Sequence, residues 1–98
     1  MTRPPTPDAL RAAIAADCPH RLDDFDRHAA AFEARGWQIG PAFIELWRRE
    51  HAVSSRPRVE KRIDRLYRAA QKTRSSQRAR RLIAKAARIR HEIAEGLK

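Results

Sequence analysis

SSRPRVEKRIDRLYRAA, residues 54–70, is the stretch that decides how this chain is organised. Ser54 and Ser55 are a helix-capping pair and Pro57 suits a first helical turn, so a new element is expected to begin here. The charge changes at the same place. Residues 1–55 hold 7 basic and 8 acidic side chains, whereas residues 56–98 hold 15 basic and 4 acidic ones. The net charge of +10 therefore comes almost wholly from the second segment. Within it Val59, Ile63, Leu66 and Ala70 recur at intervals of three and four, which predicts an amphipathic helix.

Towards the C-terminus a second stripe follows, made of Ala79, Leu82, Ala86, Ile89 and Ile93. The two stripes do not share one register through Thr73 to Ser76, so a bend, cap or short turn is expected near Ser75 and Ser76. Two helices are the simplest account, one long bent helix the alternative. Towards the N-terminus, Thr6-Pro7-Asp8 sets a capping hydroxyl before a proline and an acid, and a helix should start there with Leu10, Ala13 and Ile14 as its stripe. Pro19 disfavours helical geometry at Cys18 and opens the next helix, whose stripe is Leu22, Phe25, Ala29 and Phe32. Gly36 reads as its stop, and Gly40-Pro41 as the start of a third helix with Phe43, Leu46 and Trp47 on one face.

The fold class expected is all-α, a small bundle of about five helices. A chain of 98 residues suffices for one core and is short for two, so residues 1–98 are expected to form a single domain. Residues 1–6 read as an extended lead, 7–55 as a near-neutral helical core segment and 56–98 as a strongly basic helical segment. Leu, Ile, Val and Phe make up only 18 residues, matched by 18 alanines, which implies a thin core packed largely by alanine.

Few residue patterns announce chemistry. A single cysteine, Cys18, excludes an intramolecular disulfide and makes the cytoplasm the default location. The run Ala12 to Ala16 is too short for a signal peptide, and no window approaches a membrane span. Asp24 and His28 are spaced as helical neighbours, yet two ligands do not make a zinc site, and a surface ion pair accounts for them. Asp23, Asp24 and Asp26 sit where a helix dipole favours carboxylates. Neither a nucleophile elbow nor a phosphate loop occurs, so no catalytic residue, cofactor or metal is expected. Trp37 and Trp47 read as core residues, and Tyr67 as half-buried at the edge of a basic helix.

The basic side chains carry the strongest signal. At about 100° per residue Arg58, Lys61, Arg65 and Lys72 share one sector, roughly opposite Val59, Ile63 and Leu66. Arg78, Arg81, Lys85 and Arg88 share another, about a right angle from the Leu82 and Ile89 stripe. Their rise of about 15 Å matches two or three phosphates of one strand. Like charges at such spacing repel, an anion relieves that repulsion, and the planar arginine fork suits phosphate.

Pro7 to Leu10 with Arg11-Ala12-Ala13-Ile14, Pro19 with Leu22 and Phe25-Asp26, and Phe43 with Trp47 resemble an uncharacterised family of small actinobacterial proteins. Arg62, Leu66 and Ala69-Ala70, then Ala79-Arg80-Arg81 with Ile89 and Ile93, look like that family's later helices. The resemblance implies an all-helical fold and brings no activity, cofactor or catalytic residue. The chain departs from the family in being so basic after Ser55.

These patterns lead to a non-enzymatic accessory protein that contacts DNA or RNA phosphates through Arg58, Lys61, Arg65, Lys72, Arg78, Arg81, Lys85 and Arg88. The alternative is an antitoxin-like or inhibitor-like module that docks the same helices on an acidic protein, with Leu82 or Ile89 as apolar anchors. A membrane-surface role is disfavoured because the bulky apolar residues are needed for the core, and self-association is left open.

Overall fold

A computed structural model describes residues 6–96 and contains five α-helices with no strand among them. The helices are α1 (Pro7–Asp17), α2 (Leu22–Ala34), α3 (Pro41–Ser54), α4 (Pro57–Lys72) and α5 (Ser76–Ala94), with a single 3₁₀ turn at Pro19–Arg21. The expected all-α bundle is what forms. Of the expected lead, residues 1–5 lie outside the described residues. Although the length suggested one compact unit, the chain groups into two, Met1–Ser55 and Arg56–Lys98, divided where the charge changes.

Local chemistry sets the helix ends of the first unit. Thr6 is extended and its Oγ1 accepts the Ala9 N–H at 3.1 Å, with Pro7 at the first helical position. Pro19 opens the 3₁₀ turn and not α2 itself, which begins three residues later at Leu22. At the other end of α2, Gly36 takes φ +75°, a left-handed conformation that glycine adopts without a Cβ penalty. The Gly36 N–H donates to Glu33 O and the Trp37 N–H to Phe32 O at 2.9 Å, while the Trp37 ring meets the Phe32 ring edge-on at 5.2 Å. Both crossed hydrogen bonds and the ring contact belong to the glycine-terminated helix cap known as the Schellman motif.

Leu10, Ile14, Cys18, Phe25, Phe43, Ile44 and Trp47 form the core of this unit, with Leu22, Ala29, Phe32 and Ile39 packed against them. Phe43 is its centre, 1% exposed, with the rings of Phe25, Phe32 and His28 at 5.2 to 5.3 Å. These edge-on and tilted geometries suit aromatic quadrupoles and let three short helices make a dry centre. Leu46 departs from the expected apolar face and is 42% exposed, because the α3 stripe runs through Phe43, Ile44 and Trp47.

The second unit is a helical hairpin. Thr73 and Ser75 are extended, with ψ of 143° and 116°, and this ends α4 and restarts α5. Thr73 Oγ1 accepts the Ser75 N–H at 3.3 Å and Ser75 Oγ accepts the Arg78 N–H at 3.2 Å. These hydroxyls offer the backbone an alternative to helical bonding, which is why the chain breaks here and forms no single bent helix. The capping pair expected at Ser54-Ser55 acts differently. Ser54 is the last residue of α3 and 2% exposed, Ser55 caps α3, and α4 starts at Pro57 with no side-chain cap. Ile63, Ala70, Ala86, Ile93 and Ala94 are the buried apolar residues of the hairpin, a seam rich in alanine as the composition implied.

Candidate nucleic-acid interface

In the first unit most of the described arginines are matched to a carboxylate. Arg11 grips Asp26 with two parallel bonds of 2.9 and 2.8 Å, tying α1 to α2. Its fork bonds hold the Asp26 carboxyl below the ordinary carboxylate range. Arg48 holds Glu45 in the same bidentate manner and Arg49 adds a third bond at 3.2 Å. Hydrogen bonds from Arg48 are the main reason the Glu45 pKa falls to about 2. Arg21 bonds Asp24, Glu50 and the buried Ser54 hydroxyl, and its guanidinium lies 5.1 Å over the Trp47 ring.

Asp24 therefore does not pair with His28, as its spacing suggested. It binds Arg21 and Arg27, while His28 Nδ1 accepts the Trp47 indole N–H at 2.8 Å. A cavity of about 460 Å³ lies near the starts of α1 and α3, lined by Pro7, Ile39, Gly40, Pro41 and Ile44. The carboxylate at its margin is Glu45, already held by Arg48 and Arg49, so it offers a poor base.

The second unit treats charge in the opposite way. Arg58, Lys61, Arg65, Lys72, Arg78, Arg81, Lys85 and Arg88 are all exposed. None has an ion pair or side-chain hydrogen bond within the described residues. Acids are few here, and Glu60, Glu92 and Glu95 already have interactions of their own, as do Arg56 and Arg90.

The two predicted sectors lie on neighbouring helices. A connection of residues 73–75 makes α4 and α5 antiparallel neighbours, and they pack on each other. Measured from each apolar stripe, the four α4 cations lie roughly 110–170° round the helix, and the four α5 cations roughly 60–140° round in the same sense. Antiparallel helices seen end-on turn in opposite senses, so equal offsets meet on the same side. Both sets therefore lean towards the same side of the hairpin, with Lys61, about 170° round, directed away from α5. Offsets of the other sign meet on the far side, where Tyr67, Ala70 and Gln71 of α4 line a 190 Å³ hollow with Ile83 of α5.

Two further cations belong to this picture. Arg62 is exposed and falls about 70° from its stripe on the cationic side, nearer to α5 than the four α4 residues chosen from spacing. Arg68 joins Lys61, Asp64 and Arg65 in lining a shallow hollow of about 440 Å³ on α4. The same helical spacing would have found Arg62, which lies closer to the apolar stripe than the four residues grouped there.

The expected burial of Trp37 is overturned. Trp47 is 4% exposed as a core residue should be, but Trp37 is 51% exposed because it follows the helix cap and packs only its edge on Phe32. Arg35 stacks on it, with the guanidinium 5.1 Å from the ring centroid. The expected docking anchors Leu82 and Ile89 are half-buried in the hairpin, whereas Ile83, which the stripe omits, is 46% exposed. In α5, no less than in the other described helices, no segment is long and apolar enough to cross a membrane. In comparisons with known proteins, no family model, curated relative or solved structure matches this chain.

Proposed function

We propose that this protein is a non-enzymatic, cytoplasmic accessory protein that holds a nucleic-acid backbone against the cationic side of the α4–α5 hairpin. One observation carries the reading: eight exposed cations on the two packed helices α4 and α5, none of them in an ion pair among the described residues. On α5 the successive members Arg78, Arg81, Lys85 and Arg88 stand three or four residues apart, where like charges oppose helix formation. Phosphates reverse the sign of that term. Arginine forks and lysine ammonium groups both bind them, on stems long enough to reach out from the helix surface. No arrangement of Asn, Gln and Arg for reading base edges stands out, so the contact is with the backbone and carries little sequence preference.

A second reading is favoured by the exposed Ile83 beside Tyr67 and Gln71 on the far side of the hairpin. Such an apolar residue is the anchor an acidic protein partner would use, in place of Leu82 or Ile89.

Fluorescence anisotropy with labelled duplex DNA and single-stranded RNA separates the two. Four simultaneous phosphate contacts lower the affinity about a hundredfold between about 50 and 200 mM salt. A protein with Arg78, Arg81, Lys85 and Arg88 changed to Glu, helical by circular dichroism, should no longer bind. An affinity indifferent to salt, or unchanged by the four reversals, rejects the phosphate reading. Loss of binding to an acidic protein on Ile83→Asp, with nucleic acid ignored, establishes the second.

A further inference from the structure

Among the described arginines of the first unit, Arg11, Arg21, Arg27, Arg48 and Arg49 each meet a carboxylate, and Arg35 alone does not. Its guanidinium instead lies against Trp37, half of whose surface is open to solvent. An apolar contact between Phe32 and residue 37 commonly accompanies such a helix cap, but a smaller side chain satisfies that contact without leaving an indole exposed. The cap nevertheless has a consequence for the ring. Backbone bonds from Gly36 and Trp37 and the edge-on packing on Phe32 hold the indole in place before any partner arrives.

Beside this pair is a hollow of about 190 Å³ lined by His28, Ala31, Phe32, Arg35 and Trp37, a volume on the scale of one nucleobase. Because His28 Nδ1 accepts from Trp47, the neutral ring carries its proton on Nε2 and has a donor left for a carbonyl or phosphate oxygen. The site thus offers an aromatic plane, a stacked guanidinium with no carboxylate on its fork, and an imidazole donor. Nucleotides in single strands are recognised by that combination, with bases stacked on aromatic rings or guanidinium planes and phosphates on arginine forks.

We infer that Arg35 and Trp37 form a notch for one unstacked nucleotide of a single-stranded nucleic acid, the base lying on the Arg35–Trp37 stack and a phosphate on the free fork. This rests on the phosphate-contact reading and adds to it a preference that the α4–α5 cations cannot supply, since a backbone contact does not distinguish stacked from unstacked bases.

The test uses the full chain and its Trp37→Ala, Trp37→Phe and Arg35→Gln variants. Anisotropy titrations with labelled oligoadenylate and with a mixed-sequence duplex are run at about 50 mM salt, where phosphate contacts are strong. Trp37→Ala is expected to weaken single-strand binding between about 5- and 100-fold, the range of one lost stacking contact. Trp37→Phe should lose less, Arg35→Gln should weaken the same probe, and duplex affinity should stay within about twofold. Arg35 is exposed, so Arg35→Gln tests the notch even if Trp37→Ala unfolds the cap. Unchanged single-strand binding in Trp37→Ala and Arg35→Gln overturns the notch alone, as does a parallel loss on duplex. Wild-type protein that binds neither probe overturns the notch and the phosphate reading together.

Discussion

Arg48 and Arg81 occupy similar places, each on a helix surface with a charged residue three positions earlier, yet their neighbours differ. Arg48 follows Glu45 and grips it through two bonds. Arg81 follows Arg78, and Lys85 stands four residues on, so its nearest helical neighbours are of its own sign. The contrast extends to both units. In residues 7–55 carboxylates anchor most arginines and aromatic rings fill the centre. In residues 56–96 alanine and isoleucine make a narrow seam and eight cations face solvent unopposed. Charge that is neutralised within a fold contributes to local order, whereas charge left unopposed is available to something else. That difference locates the proposed function in the second unit, with Arg35 as the exception in the first.

The comparison is tested most severely in the two cores. Phe43→Ala removes the ring that touches Phe25, Phe32, His28 and Trp47, and should destabilise the first unit by about 3–5 kcal/mol in a denaturant titration followed by Trp47 fluorescence. Ile63→Ala in the thinner seam should cost less, about 2–4 kcal/mol by far-ultraviolet circular dichroism. An equal or larger loss at Ile63 breaks the distinction between an aromatic centre and an alanine seam.

Smaller changes sharpen it. Ser75→Ala removes the hydroxyl that caps α5 and should lower hairpin stability by about 1 kcal/mol, read from the thermal midpoint. Arg81→Glu should do the reverse, stabilising α5 by about 0.5 kcal/mol through new attraction to Arg78 and Lys85, while weakening phosphate binding. A destabilised Arg81→Glu protein would mean that the cationic surface is not under repulsion.

The smallest effect concerns pH. Glu45 is held at about 2 from its ordinary 4.5, so its contribution is complete above about 4.5 and is lost as the pH falls towards 2. Because the Glu45 side chain is about half exposed, solvent screens this pair and only a slight slope is expected. Glu45→Gln should flatten the acid limb of stability between those values and leave it unchanged at neutral pH apart from a constant offset. An identical acid limb in both proteins would detach the Arg48 and Arg49 contacts from stability.

Much of this architecture was legible beforehand because it depends on local rules. Pro7, Pro41 and Pro57 mark helix starts by their fixed φ, and Gly36 marks a stop by its freedom at positive φ. The apolar periods of α4 and α5 identified Ile63, Ala70, Ala86 and Ile93 as buried, and the charge boundary after Ser55 coincides with the division between units. The same periods placed all eight proposed cations on exposed positions.

Other features depend on residues distant in the chain. Trp37 reads as core by its hydrophobicity, and only the packing of α1, α2 and α3, complete without it, leaves the indole outside. Ser54 reads as a cap for α4, but Arg21, 33 residues earlier, takes its hydroxyl. His28 and Asp24 read as a pair until Trp47 and the arginines compete for them. By itself the sequence determined where helices begin and end, which faces are apolar and where positive charge accumulates, since these follow from backbone restrictions and periodicity within a few residues. Tertiary structure decided which polar groups satisfy one another and which aromatic ring is left open, because those outcomes depend on competition between helices that periodicity cannot rank.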